Sequence, residues 1–432
     1  MNSFREIKPI PHPLNAVVRV PGSKSLTNRA LLIASLATGK IRLTNALFSD
    51  DSHYFAGALQ TLGFDVQLDE VALEMTVTGL SGKIPSQKAE LFIGNAGTAA
   101  RFLSAFLTLG NGEYILDGDA RMRERPIGDL IDALRQLGGK LGATSNYPPV
   151  RINASGLPGG KAKIAGNISS QFLSALLMVA PYAKSPVEIE VITELNSKPY
   201  VDMTLAVMYD FGVEVQRNGY QSFSIPLTTY RPASLWDHLP ITTYPIESDA
   251  SAASYFFAAP AICGGTVTIE NISHNSKQGD IAFLNVLKQM GCTVEEIDHC
   301  LQITGTSRIE GVDIDMGDIP DTAQTLATIA PFASSPTRIR GIASARLKET
   351  DRIHATCTEL AHLGVKVEEY EDGMTIYPCT TFKHSNVRTY NDHRMAMSFS
   401  LIGLRVPGVT IENPACVSKT FPRFFDVLDS LG

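Results

Sequence analysis

The sequence predicts an α/β protein of two domains, each built from three helix–strand repeats with the helices inside and the sheets outside. Three observations carry this reading. One unit recurs roughly every 70–80 residues, six times along the chain. In each copy the leading helix is rich in Ala and Leu and apolar nearly all round, the mark of a helix buried on every side. The 432 residues, 44% of them hydrophobic, exceed what one simple core accommodates, so the six units divide as three plus three.

Each copy has a polar cap, an inner helix, a Gly or Pro turn and a β-branched strand. The first follows Thr27 and contains ALLIASLATGKIRLTN; the second is GNAGTAARFLSAFLTLGNGEYILDG from Gly94. The third, SSQFLSALLMVAPYAKSPVEIEVI, starts at Ser169, and the fourth, SDASAASYFFAAPAICGGTVTIENI, at Ser248. DTAQTLATIAPFASSPTRIRGI from Asp321 and NDHRMAMSFSLIGLRVPGVTIENP from Asn391 complete the set. After each strand comes an amphipathic helix closed by a glycine: Gly63, Gly138, Gly212, Gly291, Gly364 and, at the chain's end, Gly432. A further strand follows in all but the last copy. Pro226–Pro245 lacks periodicity, is rich in proline, holds the only Trp, and reads as the hinge between the halves.

Composition narrows the function. A formal net charge of −7 excludes nucleic acid or an acidic membrane as a bulk electrostatic partner, so any anion site must be a local basic cluster. MNSFREIKPI has no apolar core for a secretory signal, and no apolar run reaches membrane-spanning length. The six cysteines are scattered without a CxxC pair, which indicates neither a zinc site nor a disulfide framework but the reduced thiols of a cytoplasmic protein. No GxGxxG follows the first strand, and Val18 stands where a Walker A loop requires its first Gly.

The starts of the inner helices carry the chemistry. PGSKSLTNRALL places Lys24, Ser25 and Arg29 at a helix start, where cations are disfavoured by the helix dipole unless an anion sits there. Asn95 to Thr98 form a small-residue start in which Gly97 lets a ligand approach the backbone. Arg121, Arg123 and Arg125 crowd a turn; Arg125, directly before Pro126, is biased to an extended conformation that projects its fork. Ser169, Ser170 and Gln171 offer two hydroxyls and an amide, and Ser197-Lys198-Pro199-Tyr200 reads as a turn adding a hydroxyl. Asp321 follows Pro320 at a helix start and is the natural general base of an anion site. RLKETDR, read as a helix, sets Lys348 and Arg352 side by side and Glu349 about 100° away, able to donate a proton. His393 and Arg394 open another helix, and Lys419 is the last isolated cation. Each alone is also an ordinary cap, turn or solvated charge. Their recurrence in both halves points to a cleft between two domains that closes on a small, multiply charged anion.

Taken together, PGSKSLTNRALL, GNAGTAARFL, RMRERPIGDL, SSQFLSALL, SKPYVD, RLKETDR, YNDHRMAMSFSL and SKTFP resemble the 5-enolpyruvylshikimate-3-phosphate synthase family over essentially the whole chain. The resemblance implies two inverse, inside-out barrel-like α/β domains of three repeats each: residues 1–20 with 242–432, and residues 21–241. It implies transfer of the enolpyruvyl group of phosphoenolpyruvate to the 5-hydroxyl of shikimate 3-phosphate, with no metal or organic cofactor, in a cytoplasmic monomer. By motif, Lys24, Arg125 and Lys419, with Gly97 close by, would face the phosphate of phosphoenolpyruvate, and Arg352 and Arg394 its carboxylate. Lys24, Ser25, Arg29, Ser169, Ser170, Ser197, Tyr200, Asp321 and Lys348 would hold shikimate 3-phosphate, with Gln171 between the substrates. Asp321 and Glu349 would be the catalytic base and acid, with Lys24 and Lys348 assisting. Two positions depart from the family pattern. Ser344 replaces a usual Asn, and Phe102 replaces a usual Pro, a change able to shift the helix that begins at Gly97. The retained Gly97 implies sensitivity to the family inhibitor glyphosate. Two rivals are the sister transferase acting on UDP-N-acetylglucosamine and a non-catalytic anion-binding scaffold. The first calls for a reactive Cys that Asp117–Asp129 lacks; the second needs neither Asp321 nor Glu349.

Overall fold

The computed structural model describes residues 3–231, 241–298 and 300–432. Part of the expected hinge, including Trp236, lies outside the described residues. The chain forms two compact units: Gly22–Ile246, and Glu247–Gly432 with the residues up to Pro21.

In the unit Gly22–Ile246 the inner helices are Lys24–Leu36, Gly97–Leu107 and Ser170–Val179. All of Gly97–Leu107 is buried, as is Leu26–Leu36 of the first. A helix of Ala, Leu and Phe has no face to give to water, so it takes the centre and the sheets wrap it. The helix starts follow local chemistry: Ser23 Oγ accepts Leu26 N–H at 3.4 Å and Ser169 Oγ accepts Gln171 N–H at 3.3 Å. The outer helices, such as Asp50–Thr61 and Gly128–Gln136, bury one face only. They end where Gly63 and Gly138 adopt φ of 92° and 85°.

Each sheet repeats one plan. Lys88–Phe92 runs parallel to Asn111–Asp117, which is antiparallel to Tyr147–Ser155, itself antiparallel to Leu141–Thr144. Gly160–Ile164 and Val187–Val191 begin the next sheet in the same way. Along Gly160–Ile164, Ala162 and Ile164 point inward, while Lys161 and Lys163 pair outward with Glu188 and Glu190 at 2.6 and 3.0 Å. One face therefore packs on helices and the other meets water. The unit's remaining sheet takes its parallel strand from far along the chain, with Thr242–Pro245 pairing Thr38–Thr44 so that Tyr244 lies opposite Leu43. This corrects the expected boundary at residue 241. Residues 242–245 belong with Gly22–Ile246, because backbone pairing holds them there.

The other unit repeats the plan. Its inner helices, Ala250–Cys263, Ala323–Ile329 and His393–Gly403, are buried almost throughout. Leu14–Val18 runs parallel to Gly265–Ile269, and Phe4–Glu6 pairs antiparallel with Val409–Glu412. The chain's first strands thus complete sheets begun more than 240 residues later. Among the described residues the strands form six sheets, and no helix is long and apolar enough to cross a membrane.

Candidate active site

In the unit Gly22–Ile246, Lys24 opens its helix, and its Nζ lies 3.5 Å from Oδ2 of the buried Asp51. Arg29, placed by motif among the substrate contacts, is 1% exposed. Its Nε donates to Thr204 Oγ1 at 2.8 Å, and its Nη atoms donate to Ser25 O at 3.0 Å, Ser174 Oγ at 3.3 Å and Tyr200 O at 3.1 Å. Four of its five donors serve the fold, which leaves one Nη1 hydrogen for a further acceptor. Desolvation lowers its pKa to about 10. Phe102 is fully buried with the Arg29 guanidinium 5.3 Å from its ring centre. The helix begins at Gly97, with Phe102 in its second turn.

Of the three arginines in the turn, Arg123 pairs with Asp117 at 2.6 Å and Arg121 with Glu124 at 2.9 Å, both near solvent. Arg125 alone turns inward, 5% exposed. Its φ and ψ of −87° and 128° are the extended geometry that the following proline demands. Its Nη1 donates to Asn95 O at 3.1 Å and Asn95 Oδ1 at 2.9 Å. A Cβ on Gly97 would lie 2.4 Å from Arg125 Nη2, so the guanidinium rests where only glycine leaves room. Arg101, not singled out from the sequence, ties the two segments by donating to Gly97 O at 3.1 Å and Pro126 O at 2.7 Å. Gln171 Nε2 reaches Thr98 Oγ1 at 3.4 Å, joining two inner-helix starts. Ser170 is buried in the first turn of its helix. Ser197, expected in a turn, is the left-handed N-cap (φ 55°) of the helix Lys198–Asp210, with Pro199 in its first turn.

In the other unit an ion network is built around Arg352. Its Nε donates to Asp392 Oδ2 at 2.7 Å, Nη1 to Asp321 Oδ1 at 3.1 Å and Nη2 to Glu349 Oε2 at 2.7 Å. Arg394 Nη2 donates to Asp321 Oδ2 at 2.7 Å, and its Nη1 to Tyr255 OH at 3.3 Å. Lys419, 8% exposed, ends a 3-10 turn 3.9 Å from Glu349 Oε1. Burial alone would lower the Arg352 pKa, but Asp392, Glu349 and Asp321 outweigh it and hold the cation above its ordinary value. The same burial raises Tyr255 to about 12, keeping its hydroxyl neutral.

The expected continuous helix through RLKETDR is not formed. A 3-10 turn covers Ala343–Leu347, with the half-buried Ser344, and Lys348 is extended at φ −88° and ψ −151°. The helix starts at Arg352, because Asp351 caps it by accepting His354 N–H at 3.0 Å. Lys348 and Arg352 are therefore not helix neighbours, and Glu349 meets Arg352 by direct ion pairing instead. Asp321 lies in the short turn Pro320–Thr322 leading into Ala323–Ile329. Asp392, which the sequence reading passed over beside His393 and Arg394, caps their helix through Arg394 N–H at 2.8 Å while binding Arg352. An acidic residue directly before an apolar helix was the available signal.

Two inside-out α/β units whose inner helices begin in hydroxyls, arginines, lysines and paired carboxylates define a class of protein built to bind small anions and move protons on them. The family model described as EPSP synthase (3-phosphoshikimate 1-carboxyvinyltransferase) matches residues 9–428, and the chain belongs to that family. It is 49% identical to a 3-phosphoshikimate 1-carboxyvinyltransferase of Sulfurovum sp., covering 100% of this chain and 99% of the relative. It is 48% identical to one of Nostoc punctiforme, covering 98% and 99%. The fold matches a solved EPSP synthase from Acinetobacter baumannii with a TM-score of 0.81 at 26% identity, covering 100% of this chain and 98% of that one.

Proposed function

We propose that the chain transfers the enolpyruvyl group of phosphoenolpyruvate to the 5-hydroxyl of shikimate 3-phosphate and releases phosphate. The observation that supports this most is the buried cluster of Asp321, Glu349, Arg352, Arg394 and Lys419, which sets a candidate base, a candidate acid and three cations within one ion network. Asp321 takes the hydroxyl proton as the oxygen attacks C2 of the enol, and Glu349 protonates the methylene to give a tetrahedral intermediate. In the second step the methyl returns a proton to Glu349, the C2–O bond to phosphate breaks, and phosphate leaves. Two arginine bonds fix the plane of the Asp321 carboxylate, which offers about four acceptor positions and so can also accept from a hydroxyl. Arg352 and Arg394 hold the carboxylate of phosphoenolpyruvate; Lys24, Arg125 and Lys419, beside Gly97, hold its phosphate. Lys24, Ser25, Arg29, Ser169, Ser170, Ser197, Tyr200, Asp321 and Lys348 bind shikimate 3-phosphate, with Gln171 between the substrates. Lys24 and Lys348 assist as charge moves to the leaving phosphate. Phosphate release that requires shikimate 3-phosphate is expected; release with UDP-N-acetylglucosamine instead would overturn the assignment. All these groups lie on one chain, so the proposed working form is a monomer, checked by a solution mass of 46.7 kDa; the cytoplasm is the compartment proposed by family resemblance.

Two substitutions test the phosphate site. Arg125→Ala is expected to weaken phosphoenolpyruvate by about 1.5–3 kcal/mol, the worth of a hydrogen bond to a charged group. Unchanged affinity in a binding titration would remove Arg125 from the site. Gly97→Ala puts a methyl against the Arg125 guanidinium. A KM for phosphoenolpyruvate raised about tenfold, for the loss of roughly one such bond, is expected, with the melting temperature nearly unchanged.

A further inference from the structure

Asp280 has no part in the reaction as described, yet the fold places it beside the groups that do. It lies in the 3-10 turn Gly279–Ala282, 3% exposed, and the Ser251 hydroxyl donates to its Oδ2. Ser251 is in the first turn of the inner helix Ala250–Cys263. One turn on, along the same face, Tyr255 receives Arg394, which in turn holds Asp321 at 2.7 Å. Helix positions i and i+4 are about 5–6 Å apart, so Asp280 and Arg394 dock on adjacent rungs of one helix. The residue before the turn locks this placement: Gln278 accepts Ala250 N–H at 3.1 Å and donates to Ser248 O at 2.6 Å. Among the charges acting on Asp280 are Asp321, Arg394 and Asp249, the cap of the same helix. The carboxylates of Asp321 and Asp249 thus oppose its ionisation, while the Arg394 that favours it is engaged by Asp321.

We propose that Asp280 is a positioning residue of the active site: docked through Ser251 one helix turn from the Tyr255–Arg394 contact, it leaves Arg394 available to Asp321 and to the carboxylate of an incoming substrate. This rests on the assignment of Arg394 to the carboxylate of phosphoenolpyruvate. If Asp280 ionised, a second buried negative charge would compete for Arg394 and repel the anionic substrate. Desolvation first, and the Asp321 charge second, push Asp280 up to about 7, with Ser251 and Arg394 opposing. Asp280 then changes charge within the working pH range, and its effects carry a sign. In the unfolded chain a carboxyl titrates near 3.9. Between there and about 7 the folded state binds the extra proton, so the stability Asp280 contributes falls as pH rises through that window.

The test compares the full-length protein with Asp280→Asn, which keeps the shape and cannot ionise. KM for phosphoenolpyruvate, with shikimate 3-phosphate as acceptor, and the melting temperature are measured from pH 5.5 to 9. Comparing two proteins cancels the titration of the substrate itself. The wild type should lose about tenfold in affinity relative to the variant between pH 6 and 8.5, the effect of one pKa unit of coupling. Asp280→Asn should melt above wild type at pH 8.5, with the gap narrowing toward pH 5.5. Parallel KM profiles, or a melting gap that does not vary with pH, would overturn the proposal and leave Asp280 a purely structural residue. Should Asp280→Asn fail to fold, Ser251→Ala replaces it. Removing the opposing hydroxyl should displace the alkaline rise in KM to higher pH, and an undisplaced profile is equally fatal. If no phosphate release with shikimate 3-phosphate occurs at any pH, the functional assignment fails by itself, while the melting comparison still reads whether Asp280 holds its proton.

Discussion

Asp321→Ala is expected to lower turnover at least ~100-fold, the lower bound of general acid–base catalysis. The side chain is the proposed base, and it also receives one N–H from each of Arg352 and Arg394. The alanine variant therefore loses proton transfer and frees two cations toward the substrate carboxylate. The first effect appears in kcat and the second as a lower or unchanged KM for phosphoenolpyruvate. Asp321→Asn separates them: the amide oxygen can still take one arginine N–H, but it is no base. Turnover by either variant near the wild-type rate, in a phosphate-release assay, would exclude Asp321 from the role.

Arg352→Met is expected to destabilise the chain by about 3–5 kcal/mol, the cost of removing one member of a buried ion network. Asp392, Glu349 and Asp321 all donate their charge to this one guanidinium, and Asp392 has no exposure of its own. Without it, three carboxylates are left close together beside Arg394 and Lys419. For a unit of this size each kcal/mol moves the melting temperature by about 2–4 °C, so a fall of about 6–20 °C should be seen by calorimetry. Adding Asp392→Asn should recover part of the loss, because it removes the most buried orphaned charge. A melting temperature within about 2 °C of wild type would mean that the network contributes little to the fold.

The ends of helices were the most legible part of the chain. The first, second and third inner helices start at Lys24, Gly97 and Ser170, where the small and hydroxyl residues pointed, and the outer helices before Gly63, Gly138, Gly212, Gly291 and Gly364 stop at glycines of positive φ. Caps and glycine stops act within one turn, so the residues that decide them are adjacent in sequence. The same locality misled at RLKETDR. The pattern favours a continuous helix, but Asp351 caps at Arg352 and leaves Lys348 and Glu349 outside it. Likewise SKPY reads as a turn by its proline, yet proline is also at home in the first turn of a helix.

The order of the residues alone determined the sixfold repeat, the buried character of the inner helices, the family resemblance and the polar starts that carry the candidate chemistry, since each is a property of a short window. Only the tertiary structure decided which arginine of Arg121, Arg123 and Arg125 turns inward, that Arg29 is spent on Thr204, Ser174 and two carbonyls, and that Asp392 and Tyr255 hold the arginines. It also decided that Thr242–Pro245, Leu14–Val18 and Phe4–Glu6 complete sheets begun far away in the chain. These outcomes depend on which distant segments meet. A guanidinium or a strand edge takes whichever partner the closed fold brings within about 3 Å, and no local pattern encodes that choice.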